Sequence, residues 1–196
     1  MPRNELIPRR SFLKSIGAAA SVCSAPAIIP ASALGREQNV APSERVGVGM
    51  IGLGRQAHLI NMKQFLAMPD VQIVAICDVD SWRLENARKA IEEQYGKNAR
   101  SGKYKGVATH ADFEHLLARK DIDAVMISTP DHWHVPMAMA AFKAGKDVSL
   151  EKPIQRTIAE GRQLSNLAAK LKRVFRVDSE MRSQRNLHRL AELARN

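Results

Sequence analysis

The chain has 196 residues, 45% of them hydrophobic and 26% charged, which suits one domain core and excludes a disordered or fibrous protein. The formal charge of +10 is interspersed with Asp and Glu, and no stretch is both basic and aromatic, so nucleic-acid recognition has no element to act through. Two cysteines, Cys23 and Cys77, are too few for a cysteine metal motif.

Residues 1–33 read as an export signal. Arg3, Arg9 and Arg10 give a basic start, an alanine-rich run follows from Ile16 to Ile29, and Ala31-Ser32-Ala33 closes it as a small-x-small cleavage pattern. Arg9-Arg10-Ser11-Phe12-Leu13-Lys14 resembles the twin-arginine signal, which serves proteins folded before export and implies a periplasmic address and the twin-arginine machinery as a partner. The plainer alternative is a basic tail with an incidental Arg-Arg. The run is too short and too weakly apolar for a membrane span of about 20 residues. Cys23 follows Ala20-Ser21-Val22, a poor context for a lipoprotein. Residues 1–33 hold four basic residues and one acidic, so +7 of the +10 belongs to the remainder. Cleavage would leave Cys77 as the sole thiol, without a disulfide partner.

Residues 34–44 read as a linker, and regular elements then alternate. Arg45–Ile51 is a short strand, Gly52–Gly54 a turn, Gln56–Met68 a helix, and Val71–Cys77 a strand rich in β-branched residues. Ser81–Tyr95 reads as a helix and Gly96–Lys105 as an exposed loop. Val107-Ala108 is a weak strand. A short helix runs from Thr109 or Ala111 to Arg119, with Phe113, Leu116 and Leu117 inward. Ala124–Ile127 is a buried-type strand, Val135–Ala144 a helix stopped by Gly145, and Asp147–Leu150 a strand. Thr157-Ile158-Ala159-Glu160 is a capping box opening a helix to about Leu171. Val174–Val177 is a strand, and Leu187, Leu190, Ala191 and Ala194 recur at helical spacing. Such alternation predicts an α/β fold, a doubly wound and mostly parallel sheet of the Rossmann dinucleotide-binding kind, over residues 45–180; residues 181–196 would begin a connection onward.

Gly52-Leu53-Gly54-Arg55-Gln56-Ala57 gives G-x-G-x-x-A at a strand-to-helix junction. The first glycine permits the tight turn, the second lets backbone approach a pyrophosphate, and the alanine lets helix pack on strand. Amides at the helix start face the phosphates, which makes Leu53, Arg55 and Gln56 cofactor-binding candidates with the glycines. A frame starting at Gly47 and Gly49 would place the turn inside the apolar run and is rejected. Asp78 ends the second strand 24 residues after Gly54. There a carboxylate accepts both ribose hydroxyls and repels a 2′-phosphate, favouring NAD over NADP. Asp80 reads as a helix-start residue. The bland alternative is a glycine-rich turn that binds nothing.

Ser128-Thr129-Pro130-Asp131-His132-Trp133-His134 follows the fourth strand, where an open parallel sheet forms its ligand crevice. Trp133, His132 and His134 would wall a cofactor or a sugar; a metal pair lacks a third ligand, and no metal is expected. Glu151-Lys152-Pro153 follows the fifth strand into the same crevice. A lysine beside a cationic nicotinamide is suited to exchange a proton with a hydroxyl or carbonyl; otherwise Lys152 is a surface residue at a proline turn.

Together the motifs resemble the glucose-fructose oxidoreductase / inositol dehydrogenase / rhizopine catabolism (Gfo/Idh/MocA) family over about residues 45–196. The matching segments are Met50–Gly54, Val74–Asp78, Asp121–Val125, Thr129–His134, Ala144-Gly145-Lys146 and Glu151-Lys152-Pro153. The resemblance implies a nicotinamide cofactor and a sugar-like or polyol substrate. It places Lys152 in the family's Glu-Lys-Pro motif, tied to proton transfer and cofactor contact, and it assigns Glu151 to the same cofactor end. Thr129, Pro130 and His134 correspond to a Thr-Pro-Asn-x-x-His pattern lining the nicotinamide, with Asp131 in place of Asn; a carboxylate cannot donate the same hydrogen bond. Family members continue into a second α/β domain that selects substrate and often makes homo-oligomer contacts. The chain stops at Arg195-Asn196, so it reads as a fragment with that domain absent. A glycosidase-like relative using NAD transiently, and a non-catalytic dinucleotide-binding module, remain the alternative functions.

Overall fold

The structure is a computed structural model that describes residues 40–98 and 106–195. The leader, most of the predicted linker and the segment 99–105 lie outside the described residues. Every strand and helix of the sheet domain belongs to the compact unit that begins at Pro42.

Six strands form one parallel sheet in the order β3-β2-β1-β4-β5-β6. They are β1 (Val46–Ile51), β2 (Val71–Cys77), β3 (Ala108–His110), β4 (Ala124–Ile127), β5 (Asp147–Glu151) and β6 (Phe175–Asp178). The chain moves outward from β1 to β3, then returns to β1 and moves outward the other way. That reversal lies between β1 and β4, where neighbouring connections leave on opposite faces and open a crevice at the strands' C-terminal ends.

The apolar strands are explained by burial on both faces. In β4, Val125 and Ile127 face one cluster with Leu116, Phe142, Leu150 and Leu164, while Met126 faces the other with Met50, Ile73, Ile76 and Ile91. Successive side chains alternate across a strand, so a doubly covered strand must be apolar at every position. Each such side chain, fully buried, contributes roughly 1.5–3 kcal/mol. The alternation slips once: β1 pairs Val48 with Ile73 and Gly49 with Ala75, leaving Val74 as an extra residue in β2.

The covering helices follow the sequence with informative differences. The first, α1, occupies residues 55–67, but its Ala57–Asn61 portion is a π turn before the regular Met62–Ala67. Apolar spacing alone predicts an unbroken α-helix, because it cannot show the extra residue that a π turn accommodates. The second, α2, runs Ser81–Asn98, three residues beyond the expected end and into the stretch read as loop. The weak strand expected at Val107-Ala108 is Ala108–His110. Helix α3 is Phe113–Leu117, with the Asp112 side chain accepting the Glu114 amide as its cap. Helix α4 is Asp131–Lys143, so it begins four residues before the predicted Val135. Helix α5, Ile158–Leu171, has both bonds of the predicted Thr157/Glu160 capping box. A 3-10 turn at Glu180–Ser183 precedes α6, Arg185–Arg195, which has no buried residue.

Lys146, from the Ala-Gly-Lys segment, is buried and donates to the carbonyls of Arg119 (2.6 Å) and Ile122 (2.8 Å). It holds the end of α3 against the start of β5.

Candidate functional site

The glycine turn is built almost entirely from backbone. Gly52 has φ +85°, a left-handed conformation that side chains disfavour. Its amide donates to the Cys77 carbonyl (2.9 Å), and a Cβ there would lie 2.7 Å from the Ser128 carbonyl oxygen. The turn is thus wedged between the ends of β2 and β4. Gly54 differs. A Cβ on it would meet only the Arg83 guanidinium, at 3.7 Å, so the space above that residue is open. The His58 amide donates to the Gly54 carbonyl (2.9 Å), which starts α1 at the turn, and Ala57 is fully buried beneath. Leu53 is buried, Gln56 half-buried and Arg55 exposed.

Asp78 closes this half of the site. One of its oxygens accepts the Leu53 amide (2.7 Å) and the other the Asp80 amide (2.9 Å). A carboxylate has about four acceptor positions, so two remain for ribose hydroxyls. Asp80 caps α2 by accepting from the Trp82 and Arg83 amides, the role read from the sequence. Beneath lies Cys77, whose thiol pKa is pushed up to about 12 by burial, then by the Asp78 and Asp112 charges.

Thr129 and Pro130 lie at the end of β4, and Asp131, His132, Trp133 and His134 form the first turn of α4 rather than a loop. Asp131 stands where a negative charge complements the helix dipole. His132 and Trp133 are exposed, with Trp133 tilted against Phe113 at a centroid distance of 6.2 Å. His134 is only 1% exposed. Its Nδ1 lies 2.6 Å from the Pro153 carbonyl oxygen and its Nε2 2.8 Å from that of Thr129. Both ring nitrogens face backbone carbonyls; a neutral ring has one N–H, which donates to one of them, and the ring packs between the two crevice loops. The Thr129 hydroxyl is buried without a hydrogen-bond partner among the described residues. An orphaned hydroxyl at the strand end is an observation that a bound cofactor would answer.

Glu151 ends β5 and is buried, whereas Lys152 is exposed at the crevice. The Lys152 amide donates to Glu151 Oε2 (3.2 Å), and the Lys152–Pro153 bond is cis. Glu151 Oε1 accepts from the Asn61 side-chain amide (3.0 Å), which also donates to Asp178 Oδ2 (2.7 Å). Asn61 Oδ1 in turn accepts from the Ser128 hydroxyl (3.4 Å). Sequence reasoning missed Asn61 and Asp178, and it placed Ser128 in the crevice segment without a role. The available signals were an Asn flanked by Ile60 and Met62 in an apolar helix, and two adjacent strands each ending in an acid.

Among the described residues, no three His, Cys, Asp or Glu side chains group as a metal would require, and no helix is long and apolar enough to cross a membrane. An open recess of about 310 Å³ lies along α6, lined by Arg182, Arg185, His188, Arg189 and Glu192. None of these comes from the strand ends that form the crevice.

The open space at Gly54, the turn at Gly52, the spare acceptor positions of Asp78 and the orphaned Thr129 hydroxyl together fit a dinucleotide laid across the crevice. Comparisons with known proteins agree. Residues 46–179 match the family GFO_IDH_MocA, described as an oxidoreductase family with an NAD-binding Rossmann fold. A glycosyl hydrolase family 109 protein from Saccharopolyspora erythraea is 38% identical over 131 residues, 66% of this chain and 27% of its own length. An alpha-N-acetylgalactosaminidase from Shewanella oneidensis is 33% identical over 174 residues, 83% of this chain and 37% of its own. The chain therefore spans about a third of these curated relatives. A scyllo-inositol dehydrogenase from Lactobacillus casei, solved with NAD(H) and scyllo-inositol, superposes with a TM-score of 0.64 at 23% identity, covering 76% of this chain and 41% of that one. That likeness concerns the fold.

Proposed function

The chain belongs to the GFO_IDH_MocA oxidoreductase family, and on that premise we propose that it is the NAD-binding part of an exported enzyme acting on a sugar-like or polyol hydroxyl. The observation that carries this reading is the meeting of the open glycine turn, Asp78, Thr129 and the Lys152 loop along one crevice. Bound NAD supplies a hydride acceptor, or in reduced form a donor. The chain's residues do the rest. The turn from Gly52 to Gln56 holds the pyrophosphate, and Asp78 holds the adenosine ribose and disfavours a 2′-phosphate. Thr129, Pro130 and His132 border the nicotinamide end, with His134 fixing that border from beneath. Lys152, exposed at the crevice, takes or returns the hydroxyl proton.

Export before cleavage of a leader, with folding complete beforehand, rests on the ordered Arg9-Arg10, Phe12-Leu13-Lys14 and Ala31-Ser32-Ala33 signals. Substrate choice and homo-oligomer contacts belong to a second domain of the whole protein. The two curated relatives named for glycoside hydrolysis support a second reading, in which a sugar is transiently oxidised and its glycosidic bond cleaved with no net change in NAD. NADH accumulation identifies net redox; glycoside cleavage without it identifies the second reading.

The direct test is calorimetric titration of the 196-residue chain with NAD. Gly54→Val should weaken binding at least about a hundredfold while leaving the melting temperature near that of the parent, because only ligand space is filled. Unchanged affinity would overturn the site.

A further inference from the structure

We propose that Asn61 is a positioning residue for Lys152, acting through the Glu151 carboxylate. The inference rests on Lys152 belonging to the cofactor crevice.

The π turn at Ala57–Asn61 carries Asn61 to a site that is 1% exposed, beneath the ends of β4, β5 and β6. Glu151 and Asp178 are register partners across β5 and β6, and both carboxylates are buried, at 5% and 4% exposure. Two buried anions side by side repel strongly, and each requires donors. Asn61 supplies them from one nitrogen, giving one N–H to Glu151 Oε1 and the other to Asp178 Oδ2. Asp178 Oδ1 has no hydrogen bond among the described residues, and the Arg176 guanidinium is 3.6 Å away.

With Oε1 fixed by Asn61, the opposite oxygen of Glu151 faces the Lys152 amide, the first peptide of the loop that presents the lysine. A chain of contacts thus runs from the helix of the nucleotide turn, through one neutral amide and one carboxylate, to the backbone amide of the residue that carries the proposed acid-base group. Asn is suited to this where Asp is not: its NH₂ has two donors, whereas a third carboxylate would add charge and remove both. The Ser128 hydroxyl, donating to Asn61 Oδ1, orients that amide so that its nitrogen faces the acids.

The test follows Lys152 itself. Lysines of the full chain are reductively ¹³C-methylated, and the Lys152 resonance is assigned by its loss in Lys152→Arg. NAD affinity is measured on the same samples. Asn61→Ala should broaden or split the Lys152 resonance and weaken NAD about tenfold. Adding Asp178→Asn, which removes one of the facing charges, should restore a single resonance and most of the affinity. If Asn61→Ala melts below the working temperature, the double variant compared with Asp178→Asn alone gives the same readout. A wild-type Lys152 resonance in folded Asn61→Ala would overturn the proposal, as would a double variant whose Lys152 resonance is no closer to the parent's than that of the single one. The underlying reading fails separately: a parent chain that does not bind NAD refutes the cofactor site, while the Lys152 resonance still decides the role of Asn61.

Discussion

The two sides of the crevice are built by different means. The pyrophosphate side uses backbone: Gly52, Leu53 and Gly54 form the turn, and Asp78 accepts the Leu53 amide across 25 residues of sequence. The nicotinamide side uses buried side chains from distant segments: His134 packs between the Thr129 and Pro153 carbonyls, and Asn61 reaches Asp178 across 117 residues. A backbone site tolerates most side-chain changes but fails where a Cβ cannot fit. A side-chain network fails wherever one partner is withdrawn, since the others are left buried and unpaired.

Substitutions should separate these two modes. The largest effect is expected at Gly52, where valine meets both the left-handed conformation and the Ser128 carbonyl. Gly52→Val should cost about 3 kcal/mol or more of stability in urea unfolding, whereas Gly54→Val should cost little stability and remove the ligand. Equal stability losses at the two glycines would break the comparison.

On the other side, His134→Phe keeps an aromatic ring of similar size but removes the ring N–H that donates to one of the Thr129 and Pro153 carbonyls. It should cost about 2 kcal/mol, measured by the same unfolding, and should loosen the Lys152 loop more than the glycine turn in amide exchange. Uniform loss of protection would show that the two sides are one cooperative unit.

Asp78→Ala is expected next. Losing the ribose acceptor should weaken NAD about tenfold, equivalent to about 1.4 kcal/mol, and bring NADP affinity closer to that of NAD. A variant that still strongly prefers NAD would remove Asp78 from cofactor selection.

The smallest effect is pH-dependent. His110 follows the pyrophosphate side at the end of β3, and its pKa lies below the ordinary 6.5, through burial first and the Arg119 and His115 charges second. The unfolded chain therefore takes up this proton at higher pH than the folded one. The stability it confers is complete above about pH 6.5 and declines as pH falls through the folded value. His110→Asn should flatten that part of the melting-temperature profile between pH 7 and 5; an unaltered profile would assign the acid sensitivity elsewhere.

Much of the fold was legible because its signals are local. Ala124–Ile127 reads as a strand from its apolar run, and Thr157 with Glu160 announces α5 because both partners of the capping box lie within one turn. Gly52, Gly54 and Asp78 are recognisable for the same reason: their spacing is set by a single strand-turn-helix-strand passage. The start of α4 was not legible. Pro130 and the polar residues after it look like a continuing loop, yet proline is well accommodated just before a helix, and Asp131 supplies the favourable first-turn charge.

Sequence by itself therefore determined the doubly wound sheet, the phosphate turn and its acidic partner, since alternation, glycine placement and spacing act over short distances. Tertiary structure decided what the remaining polar residues do. It buried His134 between two crevice loops, made Lys146 a brace, and brought Asn61 between two carboxylates whose strands are separated in sequence by a whole helix. The physical reason is desolvation. A polar side chain has no fixed role until packing removes its water, and only the folded chain determines which partner replaces it.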